Sequence, residues 1–347
     1  MNFPFSVYCV AVASAFLTTL LTLPLWRKWC LSTGLLDDPG HRKIHDQPIP
    51  LAGGLAVVTG LLAPIVVGAV ALWWGGAEGR IPIVFPIGRA HRGFTAAPLS
   101  GNGGFLLLYG LTRRGPELAG ILAGALGMLL VGWWDDKREL NPRAKFVGQL
   151  LIAALLAASG TRITLFVPSP VFHYAITILW ILAVVNAFNF MDNMNGLCAG
   201  LGAIGASYFA VLAAAEGQYL VALIAFLTFG ALLGFLPYNF PKARAFLGDA
   251  GSHLVGYLLA VLGILPHFYT VSHPHRRAVL IPLLVLAVPL GDMAWVVLLR
   301  LRQGQPFYMG DTNHLSHRLV RRGLSRPRAV LLIWLLATAL GGLVYFC

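Results

Sequence analysis

Apolar runs of about 20 residues recur along the whole chain, and they constrain its fold more than any other feature. A helix of that length crosses the roughly 30 Å hydrocarbon core of a bilayer. Lipid offers the backbone no hydrogen-bond partner, so each run is expected to be helical. Only 11% of the residues are charged, against roughly a quarter in soluble domains. The sequence therefore predicts an all-α, polytopic membrane protein.

The apolar pattern predicts about ten transmembrane helices within one domain that covers residues 1–347. These helices are expected at about residues 4–26, 51–74, 116–134, 146–159, 173–190, 197–213, 217–236, 252–267, 278–299 and 328–345. Lys and Arg concentrate in alternate loops, and such loops face the cytoplasm. The chain is therefore expected to be multi-pass in a bacterial inner membrane, with both termini outside. The basic segment 75–115 departs from this pattern, because it is assigned to the outer side.

The net charge of +12 raises nucleic acid as a partner. The basic residues form short clusters between apolar runs instead of covering one polar face, so nucleic acid is not expected. Anionic membrane lipid and anionic substrates fit these clusters better. The sequence leaves the oligomeric state open, and a homodimer remains one alternative.

About nine of the 13 acidic residues fall in the loops predicted to be cytoplasmic. Lys and Arg set membrane orientation while acids contribute little, so topology does not explain this gathering. The adjacent Asp135 and Asp136 end an apolar helix, where two carboxylates repel each other unless a cation relieves them. Mg²⁺ takes hard oxygen ligands, commonly one or two carboxylates with phosphate and water. The alternative is a solvated helix end that Lys137 and Arg138 neutralise.

Two further segments place polar side chains at helix ends. Asn186, Asn189 and Asp192 follow at a spacing of three residues, which puts all three on one helical face. Asp249 lies between glycines at the start of a predicted helix, whose free backbone N–H groups could receive a phosphate. An N-cap role is the alternative for Asp249, although Ser252 could cap this helix instead.

The first and last of these loops are basic. The last loop places His314 and His317 on one helical face beside Arg318, which suits a pyrophosphate group. The alternative is a juxtamembrane helix that touches anionic lipid headgroups. The first loop carries three more basic residues: Arg42, Lys43 and His45. It then turns at prolines into a glycine pair, which allows the next helix to approach a neighbour closely.

Five motifs, taken in order, resemble those of the polyprenyl-phosphate N-acetylhexosamine-1-phosphate transferases, the superfamily of the WecA and MraY enzymes. The motifs are DDPGHRKIHDQPIPLAGG, the DD pair of GWWDDK, NAFNFMDNMNGL, PYNFPKARAFLGDAGS and VPLGDMAWVVLLRLRQGQPFYMGDTNHLSHRL. The match runs from about Asp37 to Leu319, and the first motif is more similar to the WecA side of the superfamily. The resemblance implies a fold of ten or eleven helices with cytoplasmic active-site loops and a Mg²⁺ site.

The resemblance also implies roles for individual residues. Asp249 would be the main Mg²⁺ ligand, while Asp135 and Asp136 would help to hold the metal or the lipid phosphate. Asp192 would complete this catalytic set and, with Asn189, serve the nucleotide. The residues implied in substrate binding are Arg42, Lys43, His45, Asn186, Asn189, Asn195, Asn239, His314, His317 and Arg318. Mn²⁺ is the alternative to Mg²⁺.

Two motifs depart from the usual family pattern. The chain reads DNMNGL at residues 192–197 where the family usually reads DGxDGL, so the amide of Asn195 replaces a carboxylate and cannot act as a base. Ser316 stands where the HxHHR-like motif commonly has a histidine. These departures leave the donor sugar, and the identity of any base, open.

The function implied is transfer of a sugar-1-phosphate, expected to be N-acetylglucosamine-1-phosphate, from a UDP-sugar to undecaprenyl phosphate. UMP would leave, and the polyprenyl-diphosphate sugar would enter cell-envelope polysaccharide synthesis. A lipid phosphate is mostly dianionic at neutral pH, so a strong base is not required. Three alternatives stay open: another UDP-N-acetylhexosamine as donor, a transporter that uses Asp292 as a coupling residue, and an inactive scaffold.

Overall fold

The computed structural model describes residues 4–38, 47–77, 114–165, 167–266, 276–306, 308 and 311–346 of the chain. Its helices are α1 (Phe5–Thr33), α2 (Gly53–Ala77), α3 (Gly115–Arg138), α4 (Pro142–Ala158), α5 (Pro170–Met191), α6 (Leu197–Ala215), α7 (Tyr219–Asn239), α8 (Gly248–Leu262), α9 (Ile281–Val285), α10 (Ala287–Arg302), α11 (Leu315–Arg321) and α12 (Arg326–Gly342). Two short 3-10 helices are also present: Arg276–Leu280 and Leu343–Phe346. One antiparallel pair joins β1 (Leu36–Asp37) to β2 (Ile49–Pro50). The all-α prediction is confirmed.

The helix α8 forms the centre of the bundle. It packs against α2, α3, α5 and α6, and every residue from Ala250 to Leu262 is buried. Glycines on the neighbouring helices allow this close packing: a Cβ on Gly54 would lie 2.6 Å from the backbone nitrogen of Gly251, and a Cβ on Gly132 would overlap the carbonyl oxygen of Asp249. The predicted close approach of the helix after the first basic loop is therefore confirmed. These contacts surround the start of α8 and fix the position of Asp249.

Seven of the described helices are long and apolar enough to cross a membrane, and α9 with α10 gives an eighth candidate if that pair, bent by 71°, is one span. The seven are α1, α2, α3, α5, α6, α7 and α12. Helices α4 and α8 have 17 and 15 residues, so both are shorter than the roughly 20 residues that a bilayer requires. The chain is polytopic, but the expected count of about ten spans is not confirmed. The cytoplasmic orientation of the loops stays a prediction.

Several predicted helix boundaries were displaced, including those of two helices that carry site residues. The helix expected at 252–267 begins at Gly248 and ends at Leu262. The helix expected at 278–299 is broken after Val285, and Pro289, in the first turn of α10, has no N–H to donate to the Val285 carbonyl. Most of the basic segment expected at 75–115 lies outside the described residues.

Candidate active site

The carboxylate of Asp136, at the end of α3, caps the start of α8. Its Oδ1 accepts a hydrogen bond from the backbone N–H of Asp249 at 2.7 Å, and its Oδ2 accepts one from Ala250 at 3.0 Å. Gly248 has a φ of +68°, and a Cβ there would lie 2.6 Å from Asp136 Oδ2. The N–H groups of Asp249 and Ala250 are therefore not free to receive a phosphate, and that part of the prediction was wrong. The N-cap alternative for Asp249 was also wrong, since the cap comes from another helix.

Lys145, one turn into α4, joins the two acidic segments. Its Nζ lies 2.7 Å from Asp135 Oδ2 and 2.8 Å from Asp249 Oδ2. The other oxygen of Asp135 accepts a hydrogen bond from the N–H of Leu140 at 2.7 Å. The alternative of a solvated helix end is wrong, because the Asp135 side chain is only 11% exposed. Sequence reasoning missed Lys145 as a site residue, since it is one of several basic residues in its loop.

The polar face expected at the end of α5 is present. Asn189 Nδ2 donates to Asp249 Oδ1 at 2.5 Å. Asn186 Nδ2 donates to Gln149 Oε1 at 2.8 Å, and Gln149 Nε2 lies 3.0 Å from His253 Nε2. Asn189 therefore orients Asp249, whereas Asn186, predicted to bind substrate, belongs to a polar chain between α4, α5 and α8.

Asp192 follows the last residue of α5 and lies beside these acids. It is partly buried, and its carboxylate makes no hydrogen bond with the residues that the structure describes. Burial raises the pKa of Asp192 well above its usual value, and the negative charges of Asp249, Asp136 and Asp37 raise this pKa further. We call Asp135, Asp136, Asp192 and Asp249 the acidic cluster. A cation near Asp192 would relieve the repulsion that these charges exert on it.

The acidic cluster sets four carboxyl groups against one ammonium, and burial together with the charge of Asp249 raises the pKa of Asp136 to about 7. Burial by itself would raise the pKa of Asp249, but hydrogen bonding with Asp135 and the charge of Lys145 outweigh burial and hold this pKa below its usual range. Burial lowers the pKa of Lys145, yet the two carboxylates raise it more, so its ammonium stays charged. Among the described side chains, Lys145 is the one ammonium in contact with any of the four acids, and it contacts Asp135 and Asp249.

The acidic cluster is suited to a small divalent cation that takes part of its ligands from a bound substrate. In the described ranges, no three Asp, Glu, His or Cys side chains are arranged to enclose a metal ion. Mg²⁺ bound together with a substrate needs only one or two carboxylates, because phosphate oxygens and water complete its shell. Asp135 and Asp136 are engaged by Lys145 and by the α8 backbone, and their part in metal binding stays a prediction. Asp249 is the predicted main ligand, and its two oxygens are engaged by Lys145 and Asn189 in the protein alone, so its part in metal binding also stays a prediction.

A second polar cluster surrounds the start of α11. Asp292 Oδ2 lies 2.6 Å from His314 Nδ1, and Asp292 Oδ1 accepts a hydrogen bond from the N–H of Leu315 at 2.6 Å. Arg300 Nε donates to Asp311 Oδ2 at 2.7 Å. We call Asp292, Arg300, Asp311 and His314 the histidine cluster. Each of its two acids has a basic partner.

Phe190 connects the two clusters. Its ring meets that of His314 edge-on, with centroids 5.5 Å apart, and the guanidinium of Arg300 lies 5.0 Å from its centroid. The preceding residue, Asn189, reaches Asp249. The end of α5 therefore contacts both clusters, and it brings the predicted acids and histidines to one end of the bundle.

His317 and Arg318 lie on α11 beside the histidine cluster. The rings of His317 and His314 have centroids 6.4 Å apart, and the Arg318 guanidinium stacks 5.1 Å from the ring centroid of Trp295. Partial burial lowers the pKa of His317, and the neighbouring positive charges lower it further. Its imidazole is therefore neutral at pH 7 and can donate a hydrogen bond without carrying charge.

Comparison with known proteins decides the family. Residues 118–267 match the family model described as glycosyl transferase family 4. Over 335 residues the chain is 31% identical to the "Probable undecaprenyl-phosphate N-acetylglucosaminyl 1-phosphate transferase" of Bacillus subtilis (strain 168), which covers 94% of this chain and 81% of the relative. The chain belongs to glycosyl transferase family 4.

Other relatives in glycosyl transferase family 4 agree with this assignment. The "Decaprenyl-phosphate N-acetylglucosaminephosphotransferase" of Mycobacterium tuberculosis (strain ATCC 25618 / H37Rv) is 31% identical over 357 residues, covering 94% of this chain and 78% of the relative. The "Undecaprenyl-phosphate alpha-N-acetylglucosaminyl 1-phosphate transferase" of Salmonella typhi is 28% identical over 342 residues, covering 95% and 81%. The resemblance to polyprenyl-phosphate N-acetylhexosamine-1-phosphate transferases is therefore confirmed.

Two asparagines predicted to bind substrate in this family 4 chain have partners within the protein. Asn195 Nδ2 donates to the carbonyl of Pro241 at 3.2 Å, a bond that a carboxylate could not make. Asn239 is buried, accepts from the N–H of Gly196 at 2.6 Å, and donates to the carbonyl of Ala245 at 2.9 Å. Both amides hold loops together, and their contact with substrate stays a prediction. Three other residues predicted to bind substrate lie outside the described residues: Arg42, Lys43 and His45.

Proposed function

We propose that this chain transfers N-acetylglucosamine-1-phosphate from UDP-N-acetylglucosamine to undecaprenyl phosphate. The observation that carries the proposal is the acidic cluster, where α3, α4, α5 and α8 hold an excess of carboxylates around Asp249. The names of the Bacillus subtilis and Salmonella typhi relatives support this donor sugar and this acceptor. The product would be a polyprenyl-diphosphate sugar for the synthesis of cell-envelope polysaccharides, such as lipopolysaccharide.

Asp249 and Asp192 are the side chains proposed to hold Mg²⁺, with Mn²⁺ as the alternative ion. When bound, the ion would act as a Lewis acid on the diphosphate oxygens of the donor. Asn189 keeps Asp249 in place through a hydrogen bond to Oδ1, and Asp136 fixes the backbone on which Asp249 lies. The protein thus sets the position of its main carboxylate before any substrate arrives, which lowers the cost of binding.

The reaction exchanges one phosphoanhydride for another. An oxygen of the lipid phosphate attacks the β-phosphorus of the UDP-sugar. The bond between that phosphorus and the bridging oxygen breaks, and UMP keeps the oxygen with the electron pair. The second pKa of a phosphate monoester is about 6, so no proton has to be removed from the acceptor first. Catalysis then rests on positioning and on charge neutralisation.

Three side chains, two charged and one neutral, are proposed to contact the phosphates. Lys145 supplies an ammonium between Asp135 and Asp249. A substrate phosphate that binds beside these acids would interact with this positive charge, which is already in position. Arg318 offers a planar guanidinium suited to two phosphate oxygens. His317 offers a neutral hydrogen-bond donor beside it.

The site is proposed to face the cytoplasm from a bacterial inner membrane. The arrangement of basic loops supports this orientation. Large apolar side chains on the helices are exposed and available to lipid, including Leu21 at 68% and Leu151 at 64%. The apolar tail of the acceptor would lie among these helices, with its phosphate at the acidic cluster.

Another UDP-N-acetylhexosamine is the second candidate donor, because Asn195 departs from the family pattern. A transporter that uses Asp292 has less support. Both oxygens of this carboxylate are engaged by His314 and by the N–H of Leu315, so Asp292 has a structural role in holding α11.

The test is UMP release by the purified protein in detergent. UDP-N-acetylglucosamine, undecaprenyl phosphate and Mg²⁺ are supplied together and then omitted one at a time. We expect release only when all three are present, and restoration by Mn²⁺ after treatment with a chelator. UMP release from another UDP-sugar alone would mean that the reaction is as proposed but the donor is different. No UMP release from any donor would contradict the proposed function.

A further inference from the structure

Two departures from the family pattern meet in the structure. The resemblance implies glycine at position 193, from the DGxDGL motif, and commonly histidine at position 316, from the HxHHR-like motif. This chain has Asn193 and Ser316 instead. Ser316 Oγ donates a hydrogen bond to Asn193 Oδ1 at 2.7 Å, although 123 residues separate them in sequence. The two departures are therefore direct partners.

Asn193 and Ser316 meet between the end of α5 and the start of α11. Ser316 is only 1% exposed and Asn193 is partly buried. Because the two side chains are in contact, a histidine at position 316 would crowd Asn193, and a glycine at position 193 would remove that side chain. The family pair of glycine and histidine is thus replaced in this chain by two side chains of intermediate size, Asn193 and Ser316. Close-packed interiors tolerate such exchanges best when the total volume is kept.

The hydrogen bonds of Asn193 tie the end of α5 to α11. Its Nδ2 donates to the carbonyl of Phe190 at 2.6 Å, which is one of the carbonyls left open at a helix end. Its Oδ1 receives the Ser316 hydroxyl. The start of α11 is also held by Asp292, which engages both His314 and Leu315. Two side chains from different parts of the chain therefore hold the short helix.

We propose that Asn193 and Ser316 form a compensated pair of positioning residues that sets the distance between Asp192 and His317. Each member is adjacent in sequence to one of the residues it positions, and neither contacts the reacting atoms. This inference rests on the proposed function, because His317 and Asp192 act on the substrate there. It also explains the missing histidine as one half of a paired exchange, which argues against an inactive scaffold.

A double-mutant cycle tests the pair. Asn193→Gly leaves the buried Ser316 hydroxyl without its partner, and Ser316→His forces a large ring against Asn193. We expect each single change to lower kcat/KM by about tenfold, and the double change to return it to within about threefold of the parent. Losses that simply multiply in the double variant would overturn the pairing. Asn193→Gly combined with Ser325→Ala is the matched control, because Ser325 is exposed and makes no capping hydrogen bond; this combination should be additive.

A second cycle avoids the added bulk of histidine. Ser316→Ala removes only the hydroxyl, so it should raise the donor KM severalfold in the parent and have no effect in the Asn193→Gly background. A merely structural defect reduces the amount of folded enzyme and lowers kcat alone, whereas a displaced α11 changes KM. An unchanged KM in both single variants would contradict the positioning role.

The two proposals can fail separately. If the parent releases no UMP from any donor, the proposed function fails, and the thermal unfolding midpoints of the same variants then test the pair. Midpoint shifts that cancel in the Asn193→Gly, Ser316→His double variant support the pairing. Additive shifts contradict it.

Discussion

The acidic cluster and the histidine cluster both contact the end of α5, yet they balance charge differently. In the histidine cluster, Asp292 faces His314 and Asp311 faces Arg300. In the acidic cluster, four carboxylates gather and Lys145 contacts two of them. Uncompensated buried charge costs free energy unless a ligand neutralises it. Each acid of the histidine cluster has its own partner, which suits a supporting role, whereas the acidic cluster has fewer basic partners than acids and is suited to binding a cation.

The largest expected effect comes from removing one charge in each cluster. Asp249→Asn keeps the shape of the side chain but removes the carboxylate proposed to hold the metal, so kcat should fall by about 10³-fold. Asp311→Asn is the matched change in the histidine cluster. It keeps one acceptor for Arg300 and should lower kcat by less than about tenfold. The rate of UMP release at saturating substrate and Mg²⁺ measures both effects. Equal losses of kcat in the two variants would contradict different roles for the two clusters.

A smaller effect is expected from Lys145→Ala. This change removes the ammonium that Asp135 and Asp249 share, so we expect kcat to fall by about tenfold to a hundredfold. The remaining acids carry more uncompensated charge, so Mn²⁺ should bind more tightly in the presence of donor without acceptor. Lys137→Ala is the control, because Lys137 faces the Trp133 ring at 5.2 Å. Weaker Mn²⁺ binding in Lys145→Ala would show that the ammonium does not compete with the metal.

The smallest expected effect acts on the frame around the acidic cluster. Gly54→Ala would place a Cβ against the backbone of Gly251 in α8, at a cost of about 1–3 kcal/mol in unfolding free energy. Gly68→Ala, in the same helix α2, meets no atom within 4 Å and should be neutral or slightly stabilising. Thermal unfolding in detergent measures both. Similar midpoints for the two variants would mean that α2 is not closely packed on α8.

The sequence predicted helices well, because length and apolarity are local properties of a segment. It could not tell that α8 lies in the protein interior, since an apolar run looks the same whether protein or lipid surrounds it. The 15 residues of α8 are too few to cross a bilayer alone. The break between α9 and α10 was missed for a different reason. A proline such as Pro289 does not by itself predict a break, because prolines also occur within continuous membrane helices.

The sequence pointed to the acidic residues of the candidate site but not to the contacts between them. The four acids were singled out by their places at helix ends, and the family resemblance grouped them as one set. The contacts that hold them were not readable, because they join distant segments: Asp136 meets the α8 backbone across 113 residues, and Lys145 meets Asp249 across 104. Tertiary packing sets these pairings, and the residue types alone do not distinguish Lys145 from its basic neighbours.

The central claim is that the acidic cluster binds a divalent cation through Asp249. Electron paramagnetic resonance of Mn²⁺ tests it directly, with UDP-N-acetylglucosamine present to supply phosphate oxygens and the acceptor absent to prevent turnover. We expect the parent and Asp311→Asn to bind one Mn²⁺ with similar affinity, and Asp249→Asn to bind it at least about tenfold more weakly. Equal Mn²⁺ binding by the parent and Asp249→Asn, or none by the parent, would contradict the account.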